Sequence, residues 1–418
     1  MAVFVALMMT RRLATPLALL ALALVIGVLL GVPWLGKPDD SILGGIVSSG
    51  AVTLASTMVT VIFGSWLGVV MDETAIAHTL VRKAVELGGD RPYAVAFAVW
   101  FVGIFVGTVT GSAPAAILIG LIGIPAMLAA GVPRTVAAST IVMGLAAGNP
   151  LQLQNWKYFS QAMNLPQADV VAFLVRYLPI VVAGGLLFLF VQSRIAGRIY
   201  AWALPRSQAP VKTAPWFALF TPAIPIALVL GSAGLKTPID IIPALIVGIV
   251  YGVLTTRPRE FNTLMLRTAY KGLEQAAAPT YLFIVIGMLL TAVRMPGMAA
   301  AMKPLVDAVA PHNPWVYALA FGILAPLALY RGPLNIFGMG IGIAGVLLTV
   351  GTFPAPLVMG TFASLNVIVG VSDPTSTATV WSAEYSGVRP EDVMRATLPY
   401  TWAIAFGGVI LAVLLYLR

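Results

Sequence analysis

Cysteine is absent from this chain and charged residues are scarce. Its 418 residues include no cysteine and only two histidines, and 9% of them are charged. Without cysteine, the chain has no disulfide bonds, thiol chemistry or metal sites built on thiolates. Soluble domains usually carry about 25% charged residues, whereas 60% of this chain is hydrophobic. This composition indicates an integral membrane protein whose environment is the lipid bilayer.

Many apolar segments approach the length of about 20 residues that a helix needs to cross the hydrocarbon core. The short alternating segments of an outer-membrane barrel are missing. We therefore predict an all-α polytopic membrane protein. Arg11 and Arg12 precede an apolar run over residues 13–30. This run is too long for a typical cleaved signal and is interpreted as a retained first helix.

The formal net charge of +9 indicates basic loops held on the cytoplasmic side rather than a nucleic-acid partner. No metal-binding group, no Ser/His/Asp arrangement and no nucleotide-binding glycine motif in a strand-turn-helix setting is found. The sequence therefore predicts no enzymatic activity and no cofactor.

Residues 65–192 and 284–416 repeat the same order of landmarks. Each copy has an amphipathic segment, two apolar arms with a Gly/Pro tip, an apolar run broken at a polar Pro step, and a closing helix. Matching positions include Gly111/Gly332 and Pro114/Pro333 at the tips, Pro133/Pro354 at the joints, Asn149-Pro150/Asp373-Pro374 at the breaks, and Trp156/Trp381 after them. Two such halves are typical of a secondary transporter and indicate its binding site.

The repeats divide the chain into four parts. Residues 1–64 supply scaffold helices, and residues 193–283 form a linker with further scaffold helices. Repeat 1 contains a hairpin at 92–131 and a broken helix at 134–165. Repeat 2 contains a hairpin at 314–351 and a broken helix at 354–386. The lengths leave open whether the hairpin arms are re-entrant or full spans.

The loop charges predict the topology. Most of the 24 lysine and arginine residues fall on the side of Arg11 and Arg12 when each apolar pair returns to its own side. The positive-inside rule then places the N-terminus in the cytoplasm and the C-terminus outside. It also gives the two repeats opposite orientations.

Helix breaks at membrane depth expose backbone groups that must be buried in protein or line a water-filled cavity. The second break is the most polar. There Asp373 is expected to be paired, protonated or a ligand of the coupling ion, H⁺ or Na⁺. Hydroxyl groups at Ser372, Thr375, Ser376 and Thr377 can bind a carboxylate or Na⁺. The alternative is that Asp373 only caps the following half-helix.

The first break and the two tips supply the other candidates. Asn149 and Gln152 at the first break can bind substrate, and Asn149 also an ion; the alternative is an ordinary loop. Arg331 at the second tip suits bidentate binding of a carboxylate or phosphate, or else pairs with Asp373 or with lipid headgroups. The remaining substrate-binding candidates are Thr110, Gly111 and Ser112 at the first tip and Asn335 beyond the second.

This layout resembles the ion transporter superfamily, which includes divalent anion/sodium symporters, citrate and gluconate permeases, and the large membrane subunit of tripartite periplasmic transporters. The string over residues 107–115 and the later Gly123-Ile124-Pro125-Ala126-Met127 are similar to the first hairpin of that subunit. The resemblance implies a homodimer, an elevator-like mechanism and coupling to Na⁺ or H⁺. One departure is the absence of the Ser-Asn-Thr motif that the divalent anion symporters carry at both tips.

Together these features predict a bacterial inner-membrane symporter for a small organic anion, most simply a carboxylate. In this hypothesis Arg331 and the hydroxyl groups near Asp373 hold the substrate, and Asp373 senses the coupling ion. The alternative is a cation/proton antiporter that uses Asp373 and the amides for the cation.

Overall fold

The computed structural model describes residues 4, 7–8, 12–37, 40–89, 91–109, 112–195, 213–232, 234–235, 237–295, 297–309, 311 and 313–417. Helices joined by short turns make up this part of the chain, and no strand occurs in it. Five of its helices are long and apolar enough to cross a membrane, and one bent pair adds a sixth. The chain is an all-α polytopic membrane protein, as its composition predicts.

The helices fall into two series. In the first half the structure describes α1 Thr15–Leu29, α2 Ala55–Glu73, α3 Ile76–Gly88, α4 Pro92–Gly107, α5 Ser112–Ala129, α6 Arg134–Gly148, α7 Leu153–Met163 and α8 Gln167–Ile195. In the second half it describes α9 Ala223–Ser232, α10 Ile241–Thr256, α11 Phe261–Val293, α12 Met298–Val309, α13 Pro314–Leu324, α14 Gly340–Val350, α15 Ala355–Val371, α16 Thr377–Ser386 and α17 Pro390–Tyr416.

The helices from α4 to α8 and from α13 to α17 follow the same order: two hairpin arms, two shorter helices and one long helix. The break between α6 and α7 bends the chain by 58°. Pro150 lies in this break and Pro374 in the break between α15 and α16, where a residue without an N–H group interrupts the helical ladder. At 11 residues, α14 is about 17 Å long and too short to cross the hydrocarbon core.

Helix α11 runs through the predicted boundary between the linker and repeat 2 at residues 283 and 284. It begins at Phe261 and continues to Val293. Arg267 and Lys271 both pair with Glu73 at the end of α2. These ion pairs lie along the packed α2 and α11 helices, so the charged turns belong to the scaffold.

Helices α4 and α6 pack against each other through glycine. Gly103 and Gly107 on α4 face Gly144 and Gly148 on α6, and each motif has the GxxxG spacing. A methyl group added at Gly103 would lie 2.9 Å from the Cα atom of Gly144, and one at Gly144 would lie 2.8 Å from the carbonyl oxygen of Trp100. The two backbones are therefore in direct contact, as in small-residue packing of membrane helices.

Replacing Gly103 with alanine is expected to destabilise the protein. Its new methyl group has backbone atoms as neighbours, which cannot rotate away, and overpacking of this kind costs about 1–3 kcal/mol. The control is Gly231→Ala in α9, where a methyl group would have no neighbour within 4 Å and alanine favours the helix. Thermal unfolding of the purified variants in detergent measures both effects. An unchanged midpoint for Gly103→Ala would contradict the packing.

Three polar contacts, called here the α7 contacts, join helix α7 to scaffold helices. The Gln161 Oε1 atom accepts hydrogen bonds from the Thr57 N–H at 2.7 Å and from the Thr57 hydroxyl at 2.6 Å. Lys157 pairs with Asp240, the N-cap of α10, with an Nζ–Oδ1 distance of 3.1 Å. Arg294, at the end of α11, donates to the carbonyl oxygen of Ala162 at 2.7 Å. Helices α2, α10 and α11 thus all hold one end of α7.

Candidate functional site

A cavity of about 520 Å³ lies among the broken helices, the hairpin tips and helix α11. Five of the residues predicted from sequence line it: Asn149, Gln152, Arg331, Ser376 and Thr377. The structure thus brings both breaks and the second tip to one cavity. Pro114, from the first tip, lines it as well. The cavity extends to Thr15, the first residue of α1, and to Gln275 in the first half of α11.

Arg331 is the only charged residue among the described residues that line this cavity. It ends the 3₁₀ segment Ala325–Arg331 and is half-buried. Its guanidinium group has no hydrogen bond or ion pair with any described residue, so the pairing with Asp373 that the sequence left open is not formed within 4.0 Å. A guanidinium group without a protein partner can offer two parallel N–H groups to an oxyanion.

Three helix N-termini open onto the same cavity. Helix α5 contributes Ala113, Pro114 and Ala115, helix α7 contributes Gln152, Gln154 and Asn155, and helix α16 contributes Ser376, Thr377 and Ala378. Neither α7 nor α16 has a side-chain hydrogen bond at its N-cap. Backbone N–H groups of a first helical turn lack helical partners and carry partial positive charge. Together with Arg331 they make this cavity suited to an anion.

Asp373 lies beside the cavity but does not line it. The side chain is 1% exposed. Its Oδ1 atom accepts hydrogen bonds from the Tyr330 N–H at 3.1 Å, the Thr375 N–H at 2.9 Å and the Thr375 hydroxyl at 2.7 Å. Its Oδ2 atom accepts from the Arg331 N–H at 3.5 Å and from Asn335 Nδ2 at 3.4 Å. The carboxylate therefore joins the second tip to the second break.

Three other predicted residues are not among those that line the cavity. Thr375 is engaged with Asp373, and Asn335 is fully buried, with its Nδ2 atom 3.1 Å from the carbonyl oxygen of Ala328. Ser372 shares hydrogen bonds of 2.8 and 2.7 Å with Thr397 and Thr401 on α17. These hydrogen bonds stabilise the turn, and the roles predicted for the three residues at the substrate or the coupling ion stay predictions.

The first tip is described only in part. Thr110 and Gly111 lie outside the described residues. Ser112 begins α5, and its side chain is not described. The substrate-binding role predicted for these three residues therefore stays a prediction.

Sequence reasoning missed Asn366 on α15. This residue is 7% exposed, lines the cavity and has no side-chain hydrogen bond with another described residue. It is the only asparagine in an apolar helix of 17 residues, and that isolated polar position is the signal that could have found it. A void of about 10 Å³ lies between Asn366, Asn149 and Asn155, which is close to the space that one water molecule needs.

The cavity also has an apolar wall that the sequence did not indicate. Ala278, Pro279, Leu282 and Phe283 follow one face of α11, and Phe337 lies next to Phe283 with ring centroids 6.2 Å apart. A ligand held at Arg331 can thus place an uncharged part against this wall, because ligand cavities typically combine apolar surface with a few polar groups.

No protein-family model matches this chain, and no curated protein matches it. Sixteen chains of solved structures match it, and two of them are transporters. The YdaH transporter of Alcanivorax borkumensis aligns with a TM-score of 0.61 and 14% identity, covering 95% of each chain. MtrF of Neisseria gonorrhoeae, from a class of antimetabolite efflux pumps, aligns with a TM-score of 0.61 and 13% identity, covering 97% of this chain and 96% of MtrF. Over nearly its whole length, this chain shares the fold of two membrane transporters.

Proposed function

We propose that this protein is a secondary active transporter for a small organic anion, most simply a carboxylate. The observation that carries the proposal is the position of Arg331, which is the only charged residue that the described part of the cavity presents. Three helix N-termini meet the same cavity, and all of these features favour negative charge. The volume of about 520 Å³ is in the range of small-molecule sites.

The rival function, a cation/proton antiporter, has less support. Such a protein needs an acidic group that a cation can reach from the cavity. None of the described lining residues is acidic, and both oxygens of Asp373 already accept hydrogen bonds from the surrounding turn. The shared fold with MtrF instead favours a second candidate, the export of an anion, because the same cavity can serve either direction.

We further propose that the structure represents an inward-facing state of an elevator-like cycle. The cavity reaches Thr15, at the end of α1 predicted to be cytoplasmic, and Gln275 in the first half of α11, which starts on the same predicted side. The α7 contacts involve Lys157 and Arg294, two cations that the loop charges place outside. In this proposal the hairpins and broken helices move past α2, α10 and α11, so the α7 contacts must break before the outward side opens. Asp240 and Thr57 stay with the scaffold.

Coupling to Na⁺ or H⁺ is part of the proposal. For Na⁺, the proposed site is the small void lined by Asn149, Asn155 and Asn366, because asparagine side chains carry oxygens that bind such ions and the nearby C-terminus of α6 carries partial negative charge. Vesicle uptake driven by a sodium gradient, compared with uptake driven by a pH gradient, separates the two ions. The homodimer and the bacterial inner membrane belong to the proposal through the family resemblance alone.

A ligand screen tests the proposed function. Organic acids are expected to raise the thermal unfolding temperature of the purified protein, because binding to the folded state at 100 times Kd stabilises it by about 2.7 kcal/mol. Each acid is paired with its uncharged amide, which has nearly the same shape. We expect the acid alone to stabilise. Equal stabilisation by acid and amide would contradict anion binding, and so would the absence of stabilisation by any acid in the panel.

A further inference from the structure

The second tip contains a backbone turn that few side chains tolerate. Tyr330 and Arg331 have φ angles of 54° and 59°, in the left-handed region, where residues other than glycine, asparagine and aspartate are uncommon. The N–H groups of both residues point to the Asp373 carboxylate, at 3.1 Å from Oδ1 and 3.5 Å from Oδ2. The carboxylate thus contacts the turn at the two residues whose backbone is strained.

From these contacts we infer that Asp373 is a positioning residue that holds the Arg331 guanidinium toward the cavity. This inference rests on the proposed function, in which Arg331 binds the anion. It differs from the role in ion coupling that the sequence suggests for Asp373. The carboxylate acts through the backbone of the tip, because it accepts the Arg331 N–H and forms no ion pair with the guanidinium.

The carboxylate is itself fixed from the side of the second break. Thr375 donates both its N–H and its hydroxyl to Oδ1. Asn335 donates to Oδ2, and its own side chain is tied to the carbonyl oxygen of Ala328 and to the Phe337 N–H, at 3.1 and 3.0 Å. A carboxylate with donors on both oxygens has one orientation available. The tip and the break are therefore locked into one arrangement.

The direct test exploits the absence of cysteine from the chain. The thiol of an Arg331→Cys variant lies at the cavity and is expected to react with a small anionic methanethiosulfonate reagent. Adding Asp373→Ala should lower that labelling rate at least five-fold, because residue 331 then turns out of the cavity. The matched control is Gln275→Cys, an exposed lining residue on α11, whose labelling rate should not change. An unchanged rate at position 331 would overturn the inference, whatever the protein transports.

Transport kinetics give a second readout. If Asp373 positions Arg331, Asp373→Asn raises the KM for the anion at least ten-fold, while the ratio of accumulated to external substrate still follows the ion gradient. If Asp373 instead carries the coupling ion, that ratio collapses and KM stays the same, which would refute the inference. A purely structural role lowers only the amount of active protein, leaves KM unchanged and equally speaks against it.

A milder variant covers the case in which Asp373→Ala does not fold. Thr375→Val removes only the hydroxyl donor to Oδ1 and keeps the N–H donor. It is expected to lower the labelling rate at position 331 about two- to three-fold, since one hydrogen bond of this kind contributes modestly. No change in this folded variant would also count against the inference. The labelling assay needs no substrate, so failure of the proposed function and failure of this inference remain distinguishable.

Discussion

Replacing Arg331 with alanine is expected to reduce anion uptake into proteoliposomes at least about 100-fold. Its guanidinium is the only charged group among the described lining residues of the cavity. A hydrogen bond to a charged group contributes about 1.5–3 kcal/mol, and the planar guanidinium can form two with one carboxylate. The loss of both leaves the bound anion without a cationic partner. Initial rates of radiolabelled uptake measure the effect.

Two variants control this experiment. Arg331→Lys keeps the charge but loses the planar pair of donors, so we expect intermediate uptake. Arg389→Ala removes an arginine at the start of α17 that is exposed and pairs only locally with Asp392, and its uptake should equal that of the unmodified protein. All variants must show the same thermal unfolding profile. Normal uptake by a folded Arg331→Ala protein would remove Arg331 from the binding site.

Tethering α7 to the scaffold is expected to stop transport almost completely. The Lys157→Cys/Asp240→Cys variant replaces an ion pair between α7 and the N-cap of α10. A short bifunctional thiol reagent with a reducible link should join the two thiols in this otherwise cysteine-free chain. If the α7 contacts must break in each cycle, the tethered protein cannot complete a turnover. Reduction of the tether should restore uptake.

The matched control is the pair Thr53→Cys/Thr291→Cys, which lies within the scaffold. The two threonine hydroxyls are 3.1 Å apart, next to the packed helices α2 and α11, so this tether should leave transport unchanged. A monofunctional reagent on the Lys157→Cys/Asp240→Cys variant separates the tether from the loss of the ion pair. Full transport by the tethered 157–240 protein would contradict movement of α7 past the scaffold.

The helical membrane fold and several residues of the cavity could be predicted because each depends on a short stretch of sequence. Glycine, proline and polar residues inside an apolar run show where a helix must stop, and this signal gives Asn149, Gln152, Arg331, Ser376 and Thr377. The inverted orientation of the repeats stays a prediction, because it comes from loop charges alone.

Other features were not predictable from local patterns. The direction of a side chain at an irregular turn depends on backbone dihedrals. Asn335 and Thr375 were predicted to bind substrate and Ser372 and Asp373 to couple the ion, but none of the four is among the residues that line the cavity. Asn366 was missed because its helix has no break at that position.

The glycine contact between α4 and α6 implies that the two hairpins are attached to their repeats in different ways. Backbone lies against backbone at Gly103 and Gly144, so no side chain can change rotamer there to let the first hairpin swing on its own. The second hairpin instead ends in a left-handed turn secured by hydrogen bonds to one carboxylate. We therefore expect the first hairpin to move only together with α6, whereas removal of one carboxylate is enough to release the second tip from the second break.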